Sequence, residues 1–284
     1  MAATVPRRHR FAVHWFRKGL RLHDNPALVD AVERAEGAVF PLFIIDPWFA
    51  NEETVGVLRY QFLLESLRDL DASLRARQSR LFVARGKPEE VLPRLFDEWG
   101  ATLLTFETDT EPYALTRDAA ILDMFASDPS REVSTQTSHT LFDPARLLRL
   151  NKNTVTSTYN SFCKLVSTLS VPIPVDPPQT LRTPPGMDTA GFDVPTLAEM
   201  GYKPPSTPSL YLGGETEGLA RMRRHLKDKR YICEFEKPKT SPNALTPSTT
   251  VLSPHLKFGC VSSRRLYHEI LAVYSEVRKG GGKH

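Results

Sequence analysis

Short apolar segments alternate with longer amphipathic segments along the first half of the chain. Continuously apolar runs occupy residues 11–16, 38–45, 81–83 and 102–106, and a weaker run follows at 132–135. Runs of this length without polar alternation are typical of strands that are buried on both faces of a parallel sheet. The pattern therefore predicts five buried strands.

The segments between these runs have the apolar periodicity of helices. Apolar residues recur at three- and four-residue steps from Leu58 to Leu74, which forms one stripe along a helix. An earlier helix is expected to start at Asn25 and Pro26, since asparagine caps a first turn and proline needs no amide donor there. It should extend to about Gly37. The other two predicted helices cover residues 88–99 and 112–126.

The order of these elements predicts a fold class and the place of a ligand site. Strands joined by helices predict a doubly wound α/β domain with a five-stranded parallel sheet, which we assign to residues 1–165. Ligands of such domains bind beyond the carboxyl ends of the strands. The loops at these ends contain Arg17, Asp46, Arg85, Glu107 and His139. No G-x-G-x-x-G follows the first strand, which argues against a dinucleotide dehydrogenase.

Proline dominates the middle of the chain. Ten of the 23 prolines fall between residues 171 and 210. Because proline lacks an amide donor and fixes φ, this stretch is unsuited to the interior of a helix or a sheet. We predict an extended interdomain linker over residues 166–210.

Helical signals return after the linker, over residues 211–284. Gly213-Gly214 precedes one predicted helix, Ser253-Pro254 has the form of a cap followed by proline, and Ser262 can cap a last, longer helix. This region has too few elements to cover the apolar faces of these helices. We therefore expect this second domain to be an incomplete all-α unit.

Composition and charge narrow the class of protein. The net charge of +4 permits an anionic partner without requiring one. The three cysteines, Cys163, Cys233 and Cys260, are widely spaced and support neither a disulfide framework nor a zinc site, so a reducing, intracellular compartment is expected. No run approaches the roughly 18 apolar residues that span a bilayer, so no membrane association is expected.

Several polar residues have two interpretations. Arg17, Lys18 and Arg21 could hold a phosphate or a carboxylate at the edge of the sheet, but a basic loop is usually solvated or paired with acidic residues. We favour the structural interpretation. The histidines at 14, 23 and 139 lack the spacing of metal ligands, so no metal site is expected.

Four segments resemble the photolyase/cryptochrome family. HWFRKGLRLHDNPAL (14–28) resembles the first strand and arginine-rich loop of the family, FETDTEPYALTRD (106–118) its fourth strand turn, and YLGGETEGLARM (211–222) the start of its helical domain. FEKPKTSPNALTPSTTVLSPHLKFGCVS (235–262) is the most specific segment. It is similar to the flavin-phosphate segment of the animal-type branch, which contains the (6-4) photolyases and their cryptochrome relatives.

The resemblance implies a place for FAD. Hydroxyl groups and the free backbone amides of a helix start suit a phosphate, although the same residues are compatible with an ordinary capped helix. His255 stands where the family usually has tyrosine. The residues implied to bind the FAD diphosphate, with Lys237 as a nearby cation, are Lys237, Thr249, Thr250, Val251, Leu252 and Ser253.

The resemblance also implies a function. The chain is expected to be a truncated blue-light flavoprotein that resembles a (6-4) DNA photolyase, with light-driven repair of UV-induced pyrimidine dimers in its full-length form. A cryptochrome photoreceptor that signals through protein partners, and an inactive truncated product, are the alternatives. Most of the FAD pocket and all catalytic residues are expected beyond residue 284, so this chain alone should be inactive and retain little FAD. Its partner would be UV-damaged DNA or a signalling protein, and the expected location is the nucleus, with plastid and cytoplasm left open.

A second pigment, a folate or a deazaflavin, is the further cofactor that the resemblance implies for the α/β domain. The three tryptophans, Trp15, Trp48 and Trp99, all fall within that domain. We interpret them as core or antenna-site residues rather than as an electron-transfer chain.

Overall fold

The computed structural model describes residues 8–50, 55–184, 186–207, 209–235, 244 and 249–279. Five strands and four helices alternate in the first half. The strands are β1 (His9–Phe16), β2 (Ala35–Ile45), β3 (Phe82–Arg85), β4 (Leu103–Glu107) and β5 (Glu132–Gln136). The helices between them are α1 (Pro26–Arg34), α2 (Val57–Arg75), α3 (Pro88–Trp99) and α4 (Pro112–Ala126).

The five strands form one sheet in the order β3-β2-β1-β4-β5, and every neighbouring pair is parallel. The chain runs outward from β1 to β3 and then returns to the other side of β1 with β4. This reversal makes the carboxyl ends of β1 and β4 a topological switch point, where ligands of such folds bind. The predicted doubly wound, five-stranded α/β fold is confirmed.

Both faces of the sheet are covered because its central strands carry apolar residues on both sides. On β2, Val39, Phe43 and Ile45 pack into the layer that contains α1 and α2. Phe40, Leu42 and Ile44 point the other way, as expected from the two-residue period of a strand, and pack against α3 and α4.

The first helix and the second strand meet earlier than predicted. Helix α1 ends at Arg34, and residues 35–37 already belong to β2 instead of to the helix. The cause is the close pairing with β1: a Cβ at Gly37 would lie 2.7 Å from the carbonyl oxygen of Arg10. Asn25 caps α1 as predicted, because its side-chain oxygen accepts a hydrogen bond from the Leu28 amide.

The inward face of α2 differs from the prediction at its first turn. Leu58 was expected in the apolar stripe but is 62% exposed, whereas Tyr60 is 1% exposed. The later residues of the stripe, including Leu67 and Leu70, are fully buried. The difference follows from the wide tyrosine ring, which takes the inward position and stacks on Tyr202 of the linker.

Two short helices between β5 and the proline-rich segment were not predicted. Helix α5 (Pro144–Leu150) is capped by Asp143, whose side chain accepts from the Ala145 amide, and α6 (Tyr159–Val166) begins with a capping box formed by Thr158 and Ser161. Neither helix has a fully buried residue. Apolar periodicity could not reveal them, but the capping residues Asp143 and Thr158 were a readable signal.

The proline-rich segment is irregular, as predicted, apart from one 3₁₀ turn at Ala198–Met200. However, it packs along the α/β unit and does not simply cross between domains. The Leu181 amide donates to the Arg77 carbonyl at 2.9 Å, and the Val83 amide of β3 donates to the Phe192 carbonyl at 3.0 Å. The segment thereby covers the open edge of β3, which would otherwise offer unpaired backbone groups.

Within the described residues four helices follow, α7 (Glu215–Lys227), α8 (Lys229–Cys233), α9 (Ser253–Lys257) and α10 (Ser263–Lys279), of which α8 was not predicted. Their shared apolar cluster is small and centres on Met222, Leu252 and Val261. Ser262 caps α10 as predicted, since its hydroxyl oxygen accepts from the Arg265 amide at 3.2 Å. Among the described residues, no helix is long and apolar enough to cross a membrane.

Candidate functional site

A cavity of about 430 Å³ opens beyond the carboxyl ends of β1 and β2 and beside the loop that follows β4. The strand ends contribute Arg17 and Asp46, two of the five residues that the sequence placed at this edge. Arg85, Glu107 and His139, the other three, are not among its lining residues. The aromatic lining consists of Trp15, Phe43, Trp48, Phe49, Tyr60, Tyr113 and Phe258.

Trp15 forms part of the buried wall of this cavity. The guanidinium groups of Arg17 and Arg117 lie over its indole, at 4.8 and 4.9 Å from the ring centre. The indole Nε1 is buried and has no hydrogen-bond partner among the described residues. A buried donor without a partner costs about 1 to 3 kcal/mol, so this wall is suited to a ligand that accepts a hydrogen bond.

Tyr60 presents a second donor of the same kind. Its hydroxyl is buried and unpartnered within the described chain, and its ring lines the cavity. Burial raises the pKa of Tyr60 to about 12. The hydroxyl therefore keeps its proton at neutral pH and remains a donor.

A flat aromatic pair stands at the mouth of the cavity. Trp48, which is 59% exposed, stacks on Tyr113 with 4.0 Å between ring centres and 4° between planes. Asp46 fixes both rings, because it accepts from the Tyr113 hydroxyl and from the Trp48 amide. Burial and this hydrogen bond raise the pKa of Tyr113. The pair forms a preorganised surface against which a planar ring can stack.

The basic loop after β1 is held by ion pairs, which confirms the structural interpretation of its three cations. Arg17 pairs with Asp118, and Arg21 pairs with Glu107 at 3.0 Å. Lys18 lies 2.9 Å from both Asp109 and Glu111. Arg17 and Lys18 nevertheless line the cavity as well, so they contribute to its charge.

The charge of the cavity lining favours an anionic group. Arg59 stands among the lining residues and has no ion pair within the described residues. The lining cations are Arg17, Lys18, Arg59, Arg117 and Lys257, and the lining carboxylates are Asp46, Asp109 and Glu111. Asp118, which pairs with Arg17 and Arg117, reduces the excess of two positive charges to one.

The segment implied to bind the FAD diphosphate is a loop that ends in the single turn of α9. Thr249 and Thr250 are half-buried, and Ser253 is exposed. Val251 has a φ of 52°, a region that β-branched residues rarely adopt and that is found at ligand-binding loops. Leu252 packs into the apolar cluster of the helical part, so only its backbone is open to a ligand. Lys237 lies outside the described residues.

The predicted cap at Ser253 is wrong. Helix α9 begins at Ser253, so Leu252 occupies the N-cap position and no side chain caps the helix. The proline thus falls one position further into the first turn than expected. Since the Ser253 hydroxyl is not used as a cap, it fits the diphosphate that the resemblance implies, together with the Thr249 and Thr250 hydroxyls. The assignment of these residues to FAD stays a prediction.

Comparison with known proteins decides the family. The family model for DNA photolyase matches residues 12–179. Cryptochrome-2 of Gallus gallus is 43% identical over 289 residues, which cover 98% of this chain and 49% of the relative. Cryptochrome-1 of Sylvia borin is 45% identical over 276 residues, which cover 94% of this chain and 44% of the relative.

The chain belongs to the photolyase/cryptochrome family. It spans about half the length of the curated relatives it matches. A bacterial class III photolyase from Agrobacterium tumefaciens is similar in structure, with a TM-score of 0.76 and 26% identity over 95% of this chain and 54% of that one. An archaeal photolyase from Sulfolobus tokodaii is also similar, with a TM-score of 0.68 and 25% identity over 95% of this chain and 56% of that one. That structure contains two FAD molecules, which implicate a novel light-harvesting cofactor in that protein.

A polar clamp joins the two parts of this photolyase/cryptochrome chain. Glu215, the first residue of α7, accepts from the Leu22 amide at 2.8 Å and from the His23 ring. The other ring nitrogen of His23 accepts from the Ser262 amide at 3.1 Å. Arg21 donates to the Gly259 carbonyl at 3.0 Å. These contacts fix the position of α9 relative to the sheet.

The clamp was not predicted from the sequence. His23 was considered only as a metal ligand, and among the described residues no group of three or more His, Cys, Asp or Glu side chains is placed to hold a metal ion. The glutamate directly after Gly213-Gly214, at a helix start, was the signal that could have shown it.

His255, which stands where the family usually has tyrosine, is buried beneath the helical part. Its ring meets the edge of Phe62 on α2 at 5.1 Å, and the α7 backbone at Gly218 lies against it. Its Nδ1 is buried without a partner in the described residues. Burial lowers the pKa of His255. The residue therefore packs as a neutral ring between three helices.

Proposed function

We propose that this chain forms the chromophore-bearing α/β part of a blue-light flavoprotein, and that its cavity binds a second, light-harvesting pigment. The single observation that carries the proposal is the aromatic cavity beyond the strand ends, whose wall contains two buried donors, Trp15 Nε1 and Tyr60 Oη, without partners among the described residues. Buried donors normally have partners, so two in the wall of one cavity support a ligand with acceptor atoms that these side chains can turn to meet.

The size and shape of the cavity favour a planar tricyclic ring. A volume of about 430 Å³ lies in the range of roughly 300 to 1,000 Å³ that is usual for small-molecule sites. The stacked Trp48 and Tyr113 rings offer one face for such a ring. We propose a deazaflavin or a flavin in preference to a folate, because the rigid ring system of the former matches a flat, preformed wall.

The residues of the cavity would have distinct tasks. Trp15 and Tyr60 donate hydrogen bonds to ring acceptors, and the Trp48–Tyr113 pair stacks against the ring and excludes water. Arg59 pairs with an anionic group at the mouth. When bound, the pigment absorbs light and passes the excitation to FAD.

Binding of free pigments to the purified chain tests this proposal. A hydroxylated deazaflavin, FMN and a methenyl folate are titrated separately, and fluorescence anisotropy is recorded. Tyr60→Phe should weaken deazaflavin binding by about 1 kcal/mol, or about fivefold, through loss of one hydrogen bond. Tyr159→Phe is the matched control, because the Tyr159 side chain is 79% exposed on α6. Equal binding by both variants would remove Tyr60 from the site, and a preference for the folate would overturn the choice of a tricyclic ring.

For the whole protein we propose light-dependent signalling through protein partners. Support comes from the curated relatives, which are named cryptochromes at 43 to 45% identity. Light-driven repair of pyrimidine dimers in UV-damaged DNA, by a (6-4)-type photolyase, is the second candidate, supported by the photolyase family match. Irradiating the protein with an oligonucleotide that carries a (6-4) product separates the two, and restoration of intact bases under blue light would favour repair.

A further inference from the structure

The outer edge of β5 is open among the described residues. This strand is the last in the sheet and pairs with β4 alone. The Glu132 amide donates at 2.8 Å to the residue before β4, and the Gln136 carbonyl accepts at 2.8 Å from the residue after β4. Because the backbone groups of successive strand residues point to opposite sides, Ser134 also faces β4, whereas the amides and carbonyls of Val133 and Thr135 point outward. No backbone hydrogen bond joins these two residues to a loop of the described chain.

The two edges of the sheet differ in their protection. The edge at β3 is covered, because the Val83 amide donates to the Phe192 carbonyl of the proline-rich segment. Protein sheets usually cover an edge or blunt it with lysine or proline, since open backbone groups pair with other chains. The sequence of β5, EVSTQ, contains neither residue. The β5 edge is therefore able to accept another strand.

Helix α4 adds an apolar flank beside this edge. One side of the helix contains Tyr113 and Arg117, whose side chains contact Trp48 and Trp15 at the pigment cavity. The other side faces away from the cavity, toward β5, and contains apolar residues at four- and three-residue steps. These exposed residues are Leu115, Ala119, Leu122 and Ala126. The two leucines are 55% and 41% exposed, so the flank has a continuous apolar stripe that no described element covers.

We propose that a second copy of this chain binds at this flank, with the two β5 strands antiparallel about a twofold axis. The edge is self-complementary, because Val133 of each copy can exchange amide-to-carbonyl hydrogen bonds with Thr135 of the other. Ser134 then lies opposite its own counterpart on the axis. The two sheets become one continuous sheet, and the α4 stripes of the two copies pack together on one face of it.

The charges near the two ends of β5 favour a second copy over an unrelated strand. Asp123, in the last turn of α4, lies toward the amino end of β5, and Arg146 of α5 follows its carboxyl end. Both side chains are exposed, and neither has an ion pair with another described residue. In an antiparallel pair the amino end of one strand meets the carboxyl end of the other. Opposite charges therefore approach each other at both ends of the interface.

The size of the flank sets the expected affinity. Five strand residues extend about 16 Å, and a flank of this length with one helix beside it is smaller than the roughly 800 Å² per partner of a standard interface. We therefore expect a weak, reversible dimer with a Kd of about 10 to 100 μM.

Sedimentation equilibrium of the purified chain, from about 5 to 500 μM, tests the dimer. Leu122→Glu places a carboxylate in the apolar stripe, and Thr135→Pro removes an outward amide that an edge strand can lose without unfolding. Each should raise the Kd at least tenfold, while circular dichroism stays unchanged. Leu271→Glu is the matched control, because Leu271 is 46% exposed on α10. A chain that stays monomeric at every concentration, or an equal effect of Leu271→Glu, would overturn the proposal.

A disulfide between two copies tests the register. The partly exposed Cys163 and Cys233 are first replaced by serine. Ser134→Cys should then give a cross-linked dimer with diamide, which takes up the two electrons and two protons that the thiols release, because the Cα atoms at the axis lie about 4.5 Å apart. Gln136→Cys is the control on the same strand, since its counterpart lies about 13 Å away along the pair. No more cross-linked dimer with Ser134→Cys than with Gln136→Cys would reject this interface.

Discussion

The α/β unit and the helical part are held together by different forces. In the α/β unit two extensive apolar layers enclose the sheet, and α2 alone contributes four fully buried leucines, Leu64, Leu67, Leu70 and Leu74. In the helical part the shared apolar cluster is small, and Tyr267, Leu271 and Tyr274 of α10 are exposed. Hydrogen bonds from the loop after β1 hold this part in place. Apolar burial therefore accounts for the stability of the first region, and polar contacts for the orientation of the second.

The difference predicts unequal costs of leucine truncation. Leu67→Ala, at a fully buried position of α2, should destabilise the protein by about 2 to 5 kcal/mol through lost burial and a cavity. Leu271→Ala, at a position 46% exposed on α10, should cost about 0.5 kcal/mol or less. Urea unfolding followed by circular dichroism measures both. Equal costs would show that α10 is as well packed as α2.

Loss of hydroxyls in the helical part should affect FAD and leave the fold intact. In a protein of the full length of the relatives, Thr250→Ala with Ser253→Ala should weaken FAD binding by about 2 to 4 kcal/mol, roughly 30- to 1,000-fold, because the diphosphate loses two charge-assisted donors. Thr168→Ala, at an exposed hydroxyl of the linker, is the control. Flavin release is followed by fluorescence in the dark at fixed salt. Unchanged retention by the double variant would reject the diphosphate assignment.

The junction between the two regions can be disrupted at one glycine. Gly259 has a φ of 69°, and a Cβ there would lie 2.2 Å from the Gly19 amide nitrogen. Gly259→Ala should cost about 2 to 3 kcal/mol, of which backbone strain accounts for about 1 to 2. Gly191→Ala separates backbone strain from the steric clash, because Gly191 has a φ of 79° and open space around it. Similar losses of stability in both variants would mean that the close approach of the two loops does not add to the cost of Gly259→Ala.

Acid should loosen the clamp before it affects the α/β core. The pKa of His23 is lowered, chiefly by burial, with Arg21 and Arg265 adding to the effect and Glu215 opposing it. The folded protein thus favours the neutral form of His23. The contribution of His23 to the free energy of unfolding is present above the unfolded pKa of about 6.5 and is lost as the pH falls toward the folded pKa. For His23 alone, the free energy of unfolding changes by at most about 1.4 kcal/mol per pH unit. Stability measured from pH 7.5 to 5 should depend less on pH in His23→Gln, and an unchanged slope would contradict the role of the clamp.

The contrast between the regions also explains what the sequence could predict. The strands and helices of the α/β unit can be predicted from the local spacing of apolar residues. The bounds of β2 and α4 were therefore predicted to within a few residues. The exchange of Leu58 for Tyr60 could not be predicted, because the inward position depends on stacking with Tyr202, more than a hundred residues away. The clamp at Glu215 is likewise a nonlocal polar contact that leaves no periodic signal.

The candidate site was predictable in place but not in detail. Its position beyond the strand ends follows from topology, and Trp48 was interpreted as a core or antenna-site residue before its exposure was known. Trp15 Nε1 and Tyr60 Oη became informative only when the structure showed them buried without partners. Hydrogen-bond satisfaction is a property of the packed chain, so no sequence pattern reports it.

Isothermal titration of the purified 284-residue chain with a hydroxylated deazaflavin tests the central claim most directly. The account predicts saturable binding in the micromolar range or tighter, at about one ligand per chain, and a loss of most of that affinity in Trp48→Ala, which removes the stacking wall. Absence of saturable binding by the folded chain, or binding that Trp48→Ala leaves unchanged, would contradict the assignment of this cavity as a pigment site.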